Sequence, residues 1–215
     1  MNYKVLSMKT EQEYIKDLTE IRSMMERSSK FLTLTGWPGI MAGVYALVGA
    51  YIGYRLFYTD ADGAVFNTFI LQDISANVWN IFLLGLLILA LAVGTAVYIP
   101  YHKAKHTGEK LWNAAARRMV YNMAIPLITG GIFILIIFFK GLLALVAPLT
   151  LIFYGLALLN ASKYTYDEVK LLGMTQIGLG LIATYFIGYG LLFWALGFGV
   201  VHIIYGIYMH LNYEK

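Results

Sequence analysis

Long runs without charge constrain this 215-residue chain more than any other feature of its sequence. A helix needs roughly 20 apolar residues to cross the hydrocarbon of a bilayer. Hydrophobic residues make up 60% of the chain and charged residues 13%, whereas soluble domains are about half apolar and about a quarter charged. We therefore predict an all-α integral membrane bundle of six transmembrane helices. The predicted spans are residues 37–57, 78–98, 120–139, 142–159, 171–189 and 191–209.

Short connections between the spans predict how they pair. Only Lys140 and Gly141 separate the third and fourth spans, and the fifth and sixth meet at Tyr189-Gly190. Each of these pairs must turn tightly; a single overlong helix is the rival interpretation. With the first and second spans as a further pair, we predict three helical hairpins. The predicted organisation is a cytoplasmic amphipathic helix over residues 1–35 and a transmembrane domain over residues 36–215.

The distribution of basic residues predicts the orientation of the bundle. Fourteen of the sixteen Lys and Arg residues fall on one predicted side, and only Arg55 and Lys140 fall on the other. The positive-inside rule then places both termini in the cytoplasm. This topology accounts for the net charge of +4, so the lipid bilayer is the predicted partner and nucleic acid is not.

The first span is rich in glycine, which weakens helices in water but is tolerated in lipid. Small residues recur there at spacings of four and three, which lines one helix face with almost no side chain. A neighbouring helix can approach such a face closely, so we favour helix packing over a glycine-lined pore or hinge. The predicted packing residues are Gly39, Gly43, Ala46, Ala50 and Gly53.

Prolines and a weak internal repeat mark the other spans. Pro100 is expected to end the second span, while Pro126 and Pro148 lie inside the third and fourth and should kink them. The motif Ile-x-Tyr-Gly-(Leu/Ile) occurs in both "LIFYGLALLN", residues 151–160, and "HIIYGIYMHLN", residues 202–212. It indicates either a parallel repeat of helical hairpins or a chance similarity in apolar sequence.

His202 is the main candidate for membrane chemistry, because it falls near the middle of the sixth span. An ionisable residue at that depth is a functional candidate by default, although a neutral imidazole also serves simply to bond a neighbouring helix. We favour the structural role, with Thr150, Thr184 or Tyr185 as partner. The possible intramembrane polar site comprises His202, Asn122, Gln176 and Thr150; Asn160 and Thr175 could line the same cytoplasmic pocket or merely bond across helices.

Other chemistries find little support in the sequence. The chain has no cysteine, and no Asp or Glu lies within a predicted span, which argues against coupled ion transport and acid–base catalysis inside the bilayer. His102 and His106 have the spacing of a two-point metal clamp, but Lys103 and Lys105 lie between them, Lys110 follows closely, and Gly108 interrupts the helix. We predict a solvated basic loop there, with no metal, no cofactor and no catalytic residue.

The segment before the first span has an amphipathic pattern. Its apolar stripe must be buried against the inner leaflet, the loop 101–118, a second copy or a soluble partner. Docking on the membrane or on the chain itself ranks first; partner binding or self-association through residues 8–32 ranks second. The stripe consists of Tyr14, Leu18, Ile21, Met25 and Leu32.

These features favour a non-enzymatic membrane sensor or accessory subunit that acts through its cytosolic N-terminal helix. The alternative is a transporter or channel for a small uncharged or lipid-like solute, which the glycines, prolines and possible repeat would serve. An intramembrane enzyme centred on His202 is a weaker third hypothesis.

The stretch "EIRSMMERSSKFLTLTGWPGIMAG", residues 20–43, runs from a polar helix directly into a glycine-rich span. It resembles the start of a group of uncharacterised bacterial multi-pass inner-membrane proteins. Together with the rest of the first span, the resemblance covers about a fifth of the chain, and it implies location and topology only.

Overall fold

A computed structural model describes residues 14, 15, 18, 36–58, 76–107 and 112–213 of the chain. Most of the predicted N-terminal helix and the predicted outer loop lie outside these residues. All regular structure in the described part is helical, so the all-α prediction is confirmed. The α-helices are α1 (Gly36–Tyr58), α2 (Ala76–Thr107), α3 (Ala114–Phe139), α4 (Val146–Ala161), α5 (Glu168–Tyr185), α6 (Gly190–Trp194) and α7 (His202–Tyr213).

Short irregular helices complete the described part. A π-helical segment, Ala195–Val201, joins α6 to α7, and we call the continuous rod of residues 190–213 the C-terminal helix. Single 3₁₀ turns lie before α4, α5 and α6, at Leu143–Leu145, Ser162–Tyr164 and Ile187–Tyr189.

Four helical stretches are long and apolar enough to cross a membrane: Trp79–His106, Ala114–Phe139, Leu143–Tyr164 and Ile187–Tyr213. They coincide with the second, third, fourth and sixth predicted spans. α1 and α5 are not among these four: α1 is rich in glycine and has Arg55 in its last turn, and α5 begins with Glu168 and Lys170.

The outer surface of the bundle is apolar. Along the most hydrophobic stretch of α2 no residue is buried, and Leu83, Leu86 and Leu87 are each more than half exposed. Soluble monomers rarely expose apolar patches beyond a few hundred Å². Such a surface is stable only in an apolar solvent, which agrees with a membrane protein.

The ends of α2 and α3 differ from the prediction. α2 passes through Pro100 and continues to Thr107, so Pro100 does not end it. Pro100 removes only one backbone hydrogen bond of the helix. The helix can continue because Lys105 and His106 in its last turn interact favourably with the helix dipole. α3 begins at Ala114 because the Asn113 side chain accepts a hydrogen bond of 2.8 Å from the Ala116 N–H. Helices therefore occupy much of the predicted loop 101–118.

Pro148 also occupies a different position in its helix than expected. It belongs to the first turn of α4, after the 3₁₀ turn Leu143–Leu145. Its missing N–H has little cost there, because the first N–H groups of a helix have no intrahelical acceptor. Pro148 thus lies inside the candidate span Leu143–Tyr164, as predicted, but in the first turn of α4, where it breaks no interior hydrogen bond.

α3 and α4 are separate helices joined by a tight turn. Gly141 has a φ of 77°, a left-handed conformation that favours glycine. The Leu142 N–H donates to Ile137 O at 3.1 Å and the Gly141 N–H donates to Phe138 O at 3.0 Å. This pair of bonds is the Schellman motif that ends helices. A single overlong helix across this turn is therefore excluded.

The helices pack differently from three consecutive hairpins. α4 lies between α3 and α5, while the C-terminal helix lies along α1, which also contacts α2. α5 and the C-terminal helix follow one another in sequence, yet each has its most extensive contacts with another helix. Two glycine contacts explain this arrangement.

The first glycine contact joins α1 to the C-terminal helix. A Cβ on Gly39 would lie 3.3 Å from Gly206 Cα, and one on Gly43 would lie 2.6 Å from Gly199 O. Ala46 and Ala50 are buried on the same face, whereas Gly53 is less tightly packed, with its nearest contact 4.0 Å away. The residues predicted for packing thus face the C-terminal helix.

The second glycine contact joins α4 to α5. A Cβ on Gly155 would lie 2.6 Å from Gly173 O, and a Cβ on Gly173 would lie 2.8 Å from Gly155 O. Any side chain at either position would push the two backbones apart. Gly155 and Gly206 are the glycines of the two repeat motifs, and both lie at a close helix crossing.

We predict that Gly206→Ala destabilises the fold, because a Cβ there would lie 2.7 Å from the Gly36 carbonyl oxygen. The loss should be about 1–3 kcal/mol, as for other overpacked sites. Thermal unfolding in detergent measures it. Gly178→Ala is the matched control, since a Cβ at Gly178 meets nothing within 4 Å. Equal unfolding temperatures for the two variants would contradict this packing role.

Candidate functional site

His202 lies in the interior of the bundle, where α7 begins directly after the π segment. Only 5% of its surface is exposed. Its Nε2 atom lies 2.9 Å from the Tyr154 hydroxyl of α4, and its Nδ1 atom lies 2.9 Å from Gly197 O. The imidazole therefore links the C-terminal helix to α4 and to its own preceding turn.

The hydrogen bonds assign the tautomer of His202. The Gly197 carbonyl can only accept, so Nδ1 must carry the proton and donate it to this oxygen. Nε2 then accepts from the Tyr154 hydroxyl. This network accommodates a neutral imidazole, with both ring nitrogens bonded.

Gln176 of α5 is the third side chain of the cluster and is fully buried. Its Nε2 donates to Gly197 O at 2.7 Å. Nε2 also lies 3.3 Å from His202 Nδ1, but both atoms are donors in this tautomer. Within the described residues the Oε1 atom has no hydrogen-bond partner. An unsatisfied buried acceptor costs about 1–3 kcal/mol, so the network is incomplete.

The π segment brings the Gly197 carbonyl to these donors. Gly197 and Gly199 are both buried. A Cβ on Gly197 would lie 2.5 Å from both Gln176 Oε1 and Leu151 Cδ2, so only glycine allows Gln176 to approach the backbone. π segments are rare and frequently occur at functional sites.

Aromatic rings surround the polar groups. Phe198 stacks on His202 with ring centroids 5.8 Å apart, and Tyr154 lies 5.1 Å from Phe198. Trp194 continues this ring contact toward α6, 5.2 Å from Phe198. These rings separate the cluster from its surroundings and strengthen its hydrogen bonds by lowering the local dielectric.

The structure brings together two of the four residues predicted for the polar site, His202 and Gln176. Asn122 instead donates to Arg118 O at 2.8 Å and lies 3.4 Å from the Tyr164 hydroxyl. Thr150 donates to Ala147 O of its own helix at 2.6 Å. Asn160 and Thr175 also bond to carbonyls of their own helices.

The partners predicted for His202 were wrong. Thr184 bonds to Gly180 O of its own helix, and Tyr185 is 83% exposed. The sequence reasoning missed Tyr154 and Gly197. Tyr154 belongs to the Ile-x-Tyr-Gly motif of the repeat, which was the one signal that could have identified it.

His102 and His106 lie on helix α2 rather than in a loop. Their ring centroids are 4.8 Å apart, so they share a face. In the described part of the chain, no three residues among His, Cys, Asp and Glu are grouped as a metal site requires. This histidine pair therefore offers at most two ligands there.

Two cavities among the described residues lie away from the cluster. One, of about 340 Å³, is lined by Tyr98, Ile99, His102 and Lys103 of α2. The other, of about 330 Å³, lies between α1 and the start of the C-terminal helix. Neither is lined by His202, Gln176 or Tyr154.

Comparison with protein-family models, with curated proteins and with solved structures gives no match for this chain. The chemistry of the cluster therefore follows from its geometry. His202 bonds to the Tyr154 hydroxyl, and His202 and Gln176 both donate to the Gly197 carbonyl, which ties α4, α5 and the C-terminal helix together.

We predict that Tyr154→Phe destabilises the fold, because it leaves His202 Nε2 as a second buried acceptor without a donor. Hydrogen bonds between membrane helices contribute up to about 2 kcal/mol, and a loss of about 1–2 kcal/mol is expected. Thermal unfolding in detergent gives the value. Thr150→Val, which removes a bond within one helix, should change stability less; the reverse order would contradict the assigned network.

Proposed function

We propose that this chain is a six-span protein of a bacterial inner membrane with both termini in the cytoplasm. Four helices have the required length and hydropathy. α1 has 23 residues and α5 has 18, which correspond to about 35 Å and about 27 Å of helix at 1.5 Å per residue. Both are long enough for a hydrocarbon core of about 30 Å with flanking residues. The basic residues and the resemblance of residues 20–43 support the orientation and location.

This topology predicts the labelling of single cysteines introduced into the cysteine-free chain. A membrane-impermeant maleimide added to intact spheroplasts should label Asp62→Cys and Tyr189→Cys but not Lys30→Cys or Lys163→Cys. Lys30 and Asp62 flank α1, and Lys163 and Tyr189 flank α5, so each pair tests one of the two less apolar helices. If the two cysteines of either pair react equally, the helix between them does not span the membrane.

For its activity, we propose a non-enzymatic sensor or accessory subunit that acts through the N-terminal helix. The observation that carries this proposal is the exposure of the amphipathic stripe where it is described. Tyr14 and Leu18 are helical and are 54% and 66% exposed. Burying one such side chain contributes about 1.5–3 kcal/mol, which favours contact with a partner or a second copy.

The start of α1 supports the same function. Residues 1–35 immediately precede α1 in the sequence, and its first residue, Gly36, lies against Gly206 and His210 of the C-terminal helix. The predicted N-terminal helix is therefore adjacent in sequence to a close contact between two helices of the bundle. Transport has less support, because residues of the buried polar cluster line neither of the two cavities described above.

We expect a photo-cross-linking amino acid at position 18 to give, in native membranes, a product heavier than the 24.1 kDa chain. The added mass distinguishes a second copy from another protein. Tyr14→Glu should abolish the product, since a charge in the stripe opposes burial. The same cross-linker at Tyr121 of α3, which is 70% exposed, is the control for contact by random collision. If the cross-linker at position 18 yields no product heavier than the monomer, the proposal is refuted.

A further inference from the structure

The π segment contains one residue more than an α-helix of the same path would need, and this excess sets the face that α7 presents. α-Helical residues are spaced by about 100° around the axis, so one extra residue turns everything after it by that angle. With the π segment in place, Gly206 faces Gly36 and Ile40 of α1. The contact between α1 and the C-terminal helix therefore depends on this irregularity.

We propose that the side chains of Gln176 and His202 lock the π segment in place, and that its release to α-helix rotates α7 against α1. In a π segment the backbone pairs from i to i−5 rather than from i to i−4. Gly197 lies in this segment, and its carbonyl oxygen receives two side-chain donors, Gln176 Nε2 at 2.7 Å and His202 Nδ1 at 2.9 Å. These donors connect the π segment to α5 and to the first residue of α7.

The network that holds the segment is incomplete, because Gln176 Oε1 has no hydrogen-bond partner within the described residues. In an α-helical register the Gly197 carbonyl would pair with the Val201 N–H. The backbone of that register and the two side-chain donors therefore compete for this carbonyl.

Release has a defined effect on α1. In the α-helical register the sequence of α7 would shift by one residue relative to α1. Tyr205 would then lie at the crossing where Gly206 lies now. A Cβ at Gly206 already lies 2.7 Å from Gly36 O and from Ile40 N, so a tyrosine there must displace α1. The lock itself does not depend on whether the N-terminal helix binds a partner.

Cysteine cross-linking tests the register directly, because the chain has no thiol of its own. Trp37 of α1 packs edge to face on His210, with ring centroids 5.7 Å apart, and neighbouring Met209 is 1% exposed. A short bismaleimide should link Trp37→Cys to His210→Cys but not to Met209→Cys. In Gln176→Leu/His202→Phe, which removes both donors, linking to position 210 should be lost and linking to position 209 gained.

Two further variants separate the lock from simple loss of folding. Tyr154→Phe keeps both donors to Gly197 O and should keep the link to position 210. Deleting Leu196 removes the extra residue, so this variant should form a continuous α-helix and keep the link to position 210. Adding Gln176→Leu/His202→Phe to the deletion should not change that link. If Gln176→Leu/His202→Phe misfolds in the full-length chain, the deletion should restore its folding.

The outcomes that overturn the proposal are equally defined. A folded Gln176→Leu/His202→Phe protein that still links to position 210 shows that the side chains do not hold the register. A Leu196 deletion that misfolds, or that loses the link to 210, shows that no residue is in excess. Failure of the deletion to rescue a misfolded double variant refutes the lock as well.

Discussion

The fold depends on one requirement: each backbone N–H and C=O group inside hydrocarbon must find a partner within the protein. Helices meet it along most of the described chain. Where α3 ends, the Schellman bonds around Gly141 meet it without an aqueous loop. Where the C-terminal helix leaves α-helical pairing, Gln176 and His202 supply donors to Gly197 O. The buried polar cluster is thus a consequence of backbone irregularity as much as a candidate site.

Helix association in lipid gains little from the hydrophobic effect, so close approach of backbones contributes the attraction. Two crossings provide it here, Gly155 with Gly173 and Gly206 with Gly36. Each brings a glycine near a carbonyl oxygen of the facing helix. Because both crossings use the glycine of an Ile-x-Tyr-Gly motif, the weak repeat corresponds to a shared packing role. The tyrosines of the two motifs also pack against one cluster of Leu158, Val169 and Leu172.

Hydropathy predicted the class of fold and the four most apolar helices, because contact with lipid is a property of each segment alone. It failed at helix ends. Pro100 and the residues after it are polar, yet helix dipole and capping interactions extend α2 and α3 through much of that region. The pairing of the last helices was also predicted wrongly. The short connection favoured packing of α5 against the C-terminal helix, but glycine contacts pack α5 against α4 and the C-terminal helix against α1.

The polar site shows the same limit in detail. Depth along a span identified His202 and Gln176, since depth follows from counting residues. The choice of partner depends on rotation about the helix axis, and the π segment changes that rotation without any signal in hydropathy. Thr150 lies at a plausible depth but bonds within its own helix, whereas Tyr154 faces the imidazole. One extra residue in a helix can therefore determine which side chains meet and which neighbouring helix α7 packs against.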